Sequence, residues 1–256
     1  MKIFRKIASD YLKKKGYGII DHTQYLVDLD KDFFEMWNIA EKYTMISVER
    51  AYSLYASINY ILSNNIRGDI VECGVWRGGA CMLAALALIK NSSFDRKIFM
   101  YDTFEGMPVP GSNDKVAWNG KSALGYWKKN RTPDGKNMWA ADLDEVKENM
   151  KKTGYPEKNI VFCKGDVADT LHSDTVPGEI SLLRLDTDWY ESTKIELEKL
   201  YPLLTDRGVL LIDDYGHFSG ARKAVDEYFS RKNDLPGILL NRIDYTGRTG
   251  VKFKRE

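Results

Sequence analysis

The stretch Gly68 to Leu88, GDIVECGVWRGGACMLAALAL, places a buried strand, a glycine turn and the start of a helix in one unbroken phrase. Ile70 and Val71 are β-branched and lead into Glu72, Cys73 and Gly74, whereas Ala80 to Leu88 is apolar enough for a helix lying on a sheet. Gly74, Gly78 and Gly79 fall between them. A strand that meets a helix through glycines leaves backbone N–H groups free at the helix N-terminus and lets a ligand come close to the main chain. The segment Gly74, Val75, Trp76, Gly78 and Gly79 therefore reads as a cofactor cradle.

The acid ahead of the turn indicates which cofactor. Dinucleotide and P-loop sites set phosphates over the turn and use GxGxxG or GxxxxGK[ST] spacing. Neither pattern is present, and Glu72 stands at the strand's carboxyl end. A carboxylate there suits a ligand with a positive end, such as the amino group and sulfonium of S-adenosylmethionine. The competing reading is an ordinary strand-to-helix turn in which Glu72 pairs locally with Arg77.

With 256 residues, 43% hydrophobic and 29% charged, the chain fits one α/β domain with appendages. A formal net charge of +1 gives no electrostatic reason to expect a nucleic-acid partner. No run has the apolar length of a membrane span, and the amino terminus is too polar for a secretory signal, so a cytoplasmic protein is expected. Cys73, Cys81 and Cys163 lack metal-ligand spacing and read as reduced packing residues.

Ahead of the turn, Met1 to Lys15 carries six lysines and arginines and reads as a basic helical arm, and Asp28 to Tyr43 as a further helix. Met45 to Leu62 has apolar residues at helical spacing, with Glu49 on the border of the stripe. After it, Lys97 to Tyr101 is a second strand ending in Asp102. Ligands of wound α/β sheets lie outside the strands' carboxyl ends. Asp102 is thus placed for ribose hydroxyls, with Thr103 and Phe104 beside it, unless Asp102 and Thr103 merely cap a turn.

Residues 104–141 interrupt the alternation with glycines, prolines, Trp118, Tyr126, Trp127 and Trp139, as a lid over a sugar or aromatic acceptor would, or as an insertion packed on its own tryptophans. Asp142 and Glu145 have capping-box spacing at the next helix. Asn159 to Cys163 is a third strand, and beyond it Asp166 and Val167 are candidates for the adenine end.

Glu179 to Leu185 runs into Asp186-Thr187-Asp188, and Gly208 to Ile212 runs into Asp213-Asp214 and then His217. Two strands thus deliver four carboxylates and a histidine to one edge. Crowded like charges raise one another's pKa unless a cation offsets them. Oxygen ligands without cysteine favour magnesium, with manganese or calcium as alternatives. An Asp from one strand end and the Asp-Asp pair from the next form the expected metal set, Asp186, Asp213 and Asp214. Asp188 is the candidate general base and His217 a second one. In the competing reading these aspartates cap helices. Ile238 to Asp244 and Val251 to Lys254 complete a seven-stranded, mostly parallel sheet with a terminal antiparallel hairpin and helices on both faces.

The phrases DIVECGVWRGG (Asp69 to Gly79), YDTFEGMP (Tyr101 to Pro108), LRLDTDWYEST (Leu183 to Thr193) and LIDDYGHFSGARKAVDEYF (Leu211 to Phe229) resemble the macrocin O-methyltransferase family. The resemblance runs from Thr44 to Phe253. It implies a Rossmann-like class I S-adenosylmethionine-dependent methyltransferase that methylates a sugar hydroxyl with magnesium. By position it implies Glu72, Gly74, Gly78 and Gly79 around the methionine moiety, Asp102 on the ribose and Asp166 near adenine. It further implies Asp186, Asp213 and Asp214 on the metal and Asp188 as base, with the roles of Asp186 and Asp188 open to exchange. The expected organisation is an amino-terminal helical arm or lid over 1–67 and a methyltransferase domain over 68–256 with an insertion at 104–141. A homodimer or higher homo-oligomer and a small-molecule acceptor are expected. A phenolic acceptor, a non-catalytic cofactor-binding relative and a nicotinamide oxidoreductase are the competing functions, the last disfavoured by the missing GxGxxG.

Overall fold

The computed structural model describes residues 11–12, 14–15, 26–131, 139–172, 176–231 and 238–254. Its backbone divides into two compact units, residues 1–34 and 35–256. Most of the basic arm expected over Met1 to Lys15 lies outside the described residues. The helix expected over Asp28 to Tyr43 is observed as α1, Lys31–Ala40, followed by a 3-10 turn over Glu41–Tyr43.

The second unit is built on seven strands: β1 Asp69–Cys73, β2 Ile98–Asp102, β3 Ile160–Lys164, β4 Ile180–Leu185, β5 Leu204–Ile212, β6 Asn241–Arg242 and β7 Arg248–Val251. Their order is β3-β2-β1-β4-β5-β7-β6. β1 to β5 pair in parallel, and β7 runs antiparallel to both β5 and β6. The expected seven-stranded sheet with an antiparallel end is therefore present. β6 is shorter than the alternation from Ile238 suggests and β7 begins at Arg248 rather than Val251, because Ile243 to Gly247 forms the connecting turn, closed by the Ile243 N–H to the Gly247 carbonyl at 3.0 Å.

The sheet order places the glycine turn at the centre. β1 sits between β2 and β4, and the chain reverses its direction of winding there, which opens a crevice above the carboxyl ends. Alternation sends Val71, Cys73, Leu183, Leu185, Leu210 and Ile212 to one face, packed with Leu197, Leu200, Val225 and Tyr228. Those four come from α7, Tyr190–Lys199, the residue closing it, and α8, Ser219–Arg231. The opposite face meets α2, Val48–Ser63, and α3, Gly79–Lys90, which is buried almost all round. α2 begins at Val48 rather than Met45 because the Ser47 hydroxyl accepts the Arg50 N–H at 3.3 Å and caps it.

α5, Leu143–Lys151, follows the insertion. Asp142 stands at its N-cap without a side-chain cap bond, and Glu145 pairs instead with Arg77 at 2.6 Å, so the capping box expected there does not form.

The described part of the insertion, residues 104–131 and 139–141, is tied down and contains α4, Ala123–Lys129, which has no strong periodic signal in sequence. Val116, Ala123, Trp189 and Phe218 form a small core with Met107 and Trp127 against it. Trp127 Nε1 donates to the Met107 carbonyl at 3.0 Å, and Trp189 Nε1 to that of Pro108 at 2.9 Å. Asp114 is the anchor. It is 2% exposed, and its carboxylate accepts the N–H of Gly111 at 2.7 Å and of Tyr190, the first residue of α7, at 2.9 Å. Gly220 leaves it room, since a Cβ there would lie 1.8 Å from Asp114 Oδ1.

Asp114→Ala removes the acceptor of the buried Tyr190 N–H at the start of α7, as well as that of the exposed Gly111 N–H. A stability loss of about 1–3 kcal/mol is expected in urea unfolding, because buried donors left without acceptors carry that cost. An unchanged midpoint and slope would contradict the anchoring role.

Candidate active site

The glycine turn is held open by its own geometry. Gly74 has φ 83°, Trp76 φ 46° and Gly78 φ 89°, all in the left-handed region. At Gly74 a Cβ would stand 1.9 Å from the Asp186 carbonyl oxygen, so only glycine lets the turn after β1 nest against the turn after β4. The Gly74 N–H reaches the Tyr101 carbonyl at 2.8 Å, and the Asp186 N–H reaches that of Cys73 at 2.8 Å. Cofactor turn and acid edge are thereby locked together.

Asp102 closes the turn from β2. Its Oδ2 accepts the N–H groups of Val75 at 2.7 Å and Trp76 at 3.0 Å, and its Oδ1 that of Phe104 at 2.8 Å. Asp166 likewise caps α6, Val167–Thr170, accepting the Ala168 N–H at 2.8 Å. Thr103 Oγ1 donates to the Gly106 carbonyl at 2.7 Å.

Below the turn lies a buried charge network that the sequence reading did not anticipate. Glu72 on β1 and Arg184 on β4 are register partners, joined by Arg184 Nη1 to Glu72 Oε1 at 2.5 Å. Glu72 Oε2 also accepts from Cys81 Sγ at 2.7 Å, so Glu72 pairs with Arg184 and not with Arg77. Arg184 continues to Asp186 Oδ2 at 2.7 Å, and its Nη2 reaches Asp213 Oδ1. The other Asp213 oxygen is taken by Arg50 Nη1 from α2, whose Nε reaches Asp244 Oδ2 at 3.0 Å. Arg50, next to Glu49 at the border of the apolar stripe, is the member of α2 that enters the site.

Asp186, Asp213 and Asp214 each offer a carboxylate oxygen, all within 4.8 Å of one another. Burial pushes the Asp186, Asp188 and Asp214 carboxyls well above the usual range, and neighbouring carboxylates reinforce the rise in all three. Burial also raises Glu72 against the opposing pull of Arg184. Two guanidinium groups therefore leave this edge short of positive charge, which is the donor chemistry of a hard dication. Asp188 takes φ 65°, a strained conformation for a non-glycine residue, in the turn leading to α7.

One cavity of about 310 Å³ joins these parts. Its lining includes Glu72, Gly74, Val75, Trp76, Asp102, Thr103, Asp166 and Val167 on one side, and Asp186, Asp188, Asp213, Asp214 and His217 on the other. Gly78, Gly79 and Phe104 are not in the lining. Gly78 caps α3, Gly79 gives Tyr43 and Thr44 space, and Phe104 is buried with its ring 6.4 Å from that of Phe162. Arg50, Tyr126, Trp139, Tyr245 and Phe218 also border the cavity. His217 is held by Tyr245 Oη at 2.9 Å from Nδ1 and by the edge of Trp118, with ring centroids 4.7 Å apart. Burial and Arg50 lower its pKa.

The fold and site define a class I S-adenosylmethionine-dependent methyltransferase. The model of the macrocin-O-methyltransferase (TylF) family matches residues 5–255, and the chain belongs to that family. It is an S-adenosylmethionine-dependent O-methyltransferase. It is 34% identical over 216 residues to a demethyldecarbamoylnovobiocin O-methyltransferase of Streptomyces niveus, covering 84% of this chain and 77% of the relative. To a mycinamicin III 3''-O-methyltransferase of Micromonospora griseorubida it is 30% identical over 214 residues, 83% of this chain and 78% of the relative. Among solved structures, the O-methyltransferase NovP superposes with a TM-score of 0.72 at 30% identity over 83% of either chain. No described helix is long and apolar enough to cross a membrane.

Glu196 on α7 lies beneath this site, 0% exposed, facing the Thr187 hydroxyl, and none of the described salt bridges reaches it. Burial pushes its carboxyl well above the ordinary value of 4.5. A folded pKa above the unfolded one favours folding fully at low pH, and that contribution is lost as pH rises through the folded value. Glu196→Gln should therefore flatten the fall in stability above pH 4.5 and raise the melting temperature at pH 7.5 by roughly 2–4 °C. Melting curves from pH 5 to 8 read this directly, and parallel curves for the two proteins would refute it.

Proposed function

We propose that the chain transfers the methyl group of S-adenosylmethionine to a hydroxyl of a sugar or glycosylated small molecule, with a magnesium ion at the acid edge. The observation that carries this reading is that the glycine turn and the acid edge line a single cavity. The relatives' names support the sugar, since one is a rhamnosyl-tetracenomycin 4'-O-methyltransferase, from Streptomyces olivaceus, at 31% identity over 205 residues.

In this reading the cofactor lies over the turn. Gly74 to Trp76 provide backbone that a ligand can approach, Glu72 faces the positive methionine end, Asp102 and Thr103 border the ribose, and Asp166 and Val167 border adenine. Gly78 and Gly79 shape the turn from outside the cavity, and Phe104 supports it from below. S-adenosylmethionine supplies an electrophilic methyl on a sulfonium.

Asp186, Asp213 and Asp214 would hold the dication, which when bound supplies Lewis acidity that lowers the pKa of an acceptor hydroxyl. Asp188 takes the hydroxyl proton on a carboxylate oxygen. Its buried, like-charged surroundings raise its basicity, which suits a base working near neutral pH. His217 is the second base reading: burial lowers its pKa, and in the tautomer whose Nδ1–H donates to Tyr245 Oη, Nε2 is the nitrogen that accepts the proton. The described part of the insertion provides an acceptor wall through Tyr126 and Trp139. Holding acceptor oxygen and methyl in line supplies much of the rate.

Asp213→Asn tests the division of labour. Magnesium-stimulated methyl transfer to a panel of p-nitrophenyl glycosides should fall by about 10²–10³. The calorimetric heat of S-adenosylhomocysteine binding should persist. A variant that keeps its full rate with chelator present would remove the cation from the reading.

A further inference from the structure

Asp213 presents a difficulty for any dication at this edge: both its carboxylate oxygens already hold guanidinium groups. The two arginines are not equivalent. Arg184 sits in the middle of the sheet on β4 with its side chain 4% exposed, and it is bound to Glu72, Asp186 and Asp213 together. Moving it would strand buried carboxylates in the core. Arg50 stands on the first turn of α2 with its side chain 12% exposed, borders the cavity, and touches only one of the three candidate ligands.

Arg50 also has a second partner in place. Its Nε reaches Asp244 Oδ2 at 3.0 Å, in the turn between β6 and β7. Asp244 is fixed there by the N–H groups of Thr246 at 2.9 Å and Gly247 at 2.6 Å, and by the Ser47 hydroxyl at 2.9 Å. Gly247 makes room for the arginine stem, since a Cβ there would lie 2.9 Å from Arg50 Cγ and Cδ. A guanidinium leaving Asp213 therefore keeps a charged partner, which removes the main cost of the move.

We propose that Arg50 is the resident counter-cation of Asp213, that a divalent cation entering the acid edge competes with it for that carboxylate, and that Arg50 then rests on Asp244. This rests on the cation part of the function proposed above. Arg50 is a positioning residue: it holds the edge together when the dication is away and yields when it arrives. Thr44, Met45 and Ile46, just ahead of the Ser47 cap, line the same cavity, so the exchange bears on the wall that an acceptor meets.

The test is the dissociation constant of Mn2+ alone, measured by electron paramagnetic resonance on the full chain. Arg50→Met removes the competitor and should bind Mn2+ about tenfold more tightly. Arg50→Lys keeps the charge but loses the fork that spans two carboxylates, so it should also bind more tightly, by a smaller factor. Affinity in Arg50→Lys equal to wild type would reduce the effect to long-range charge and overturn the exchange. Unchanged or weaker affinity in Arg50→Met would overturn it too. No Mn2+ binding to wild type or variants would remove the cation reading itself, with S-adenosylhomocysteine binding showing that the fold is intact. Should Arg50→Met fail to fold, a crystal structure of the wild type with Mn2+ decides. Arg50 on Asp244 alone supports the exchange, and Arg50 still on Asp213 beside the ion refutes it.

Discussion

The pairing of Glu72 with Arg184 across β1 and β4 is the constraint on which the site depends. Both side chains leave the sheet on the face covered by α2 and α3, in a layer otherwise filled by residues such as Ile70, Ile98 and Met82. An ion pair in such a place contributes little net stability, because desolvation consumes most of the Coulomb gain. Its effect is on position. Arg184 can satisfy its donors only if β1 and β4 hold their register and if Asp186 and Asp213 turn inward at the strand ends. A one-residue slip of β4 would send Arg184 to the other face, among Val71 and Leu210.

The same pair explains how four aspartates coexist at one edge. Asp186 and Asp213 each lean on Arg184, and Asp213 also on Arg50. Asp188 and Asp214 have no described salt bridge, and burial among like charges raises both. The edge is thus divided into carboxylates paired with arginine and carboxylates without such a pair. In the function proposed above, that division is what would let one cluster supply both ligands and a base.

Much of this was legible in the chain, for physical reasons. Largely apolar runs ending in Gly or Asp mark β1, β2, β4 and β5, and the acids after them follow from the rule that wound sheets bind ligands at carboxyl ends. The glycine turn was readable because left-handed backbone needs Gly74 and Gly78. The arginines were not. Arg184 breaks the apolar run ISLLRL, and a charge inside a buried strand was itself the signal, with Glu72 in IVEC as its counterpart. Arg50 gave no such sign, since its partners lie 163 and 194 residues away in sequence and only the fold joins them. For the same reason Asp102 and Asp166 read as ligand contacts, whereas their carboxylates already hold the backbone of the turn and of α6.

That double use of Asp102 bears on how the cradle forms. The N–H groups of Val75 and Trp76 would otherwise point at the cavity as bare donors, favouring an anion over the turn. Asp102 Oδ2 covers both and turns a phosphate-type nest into a neutral-to-negative surface. Glu72 beneath the turn works in the same direction. A dinucleotide pyrophosphate would meet negative charge where it needs donors, and a sulfonium cofactor would meet charge of the opposite sign to its own. In the function proposed above, selectivity for the cofactor would therefore lie as much in what the acids at the ends of β1 and β2 cover as in what the glycines leave open.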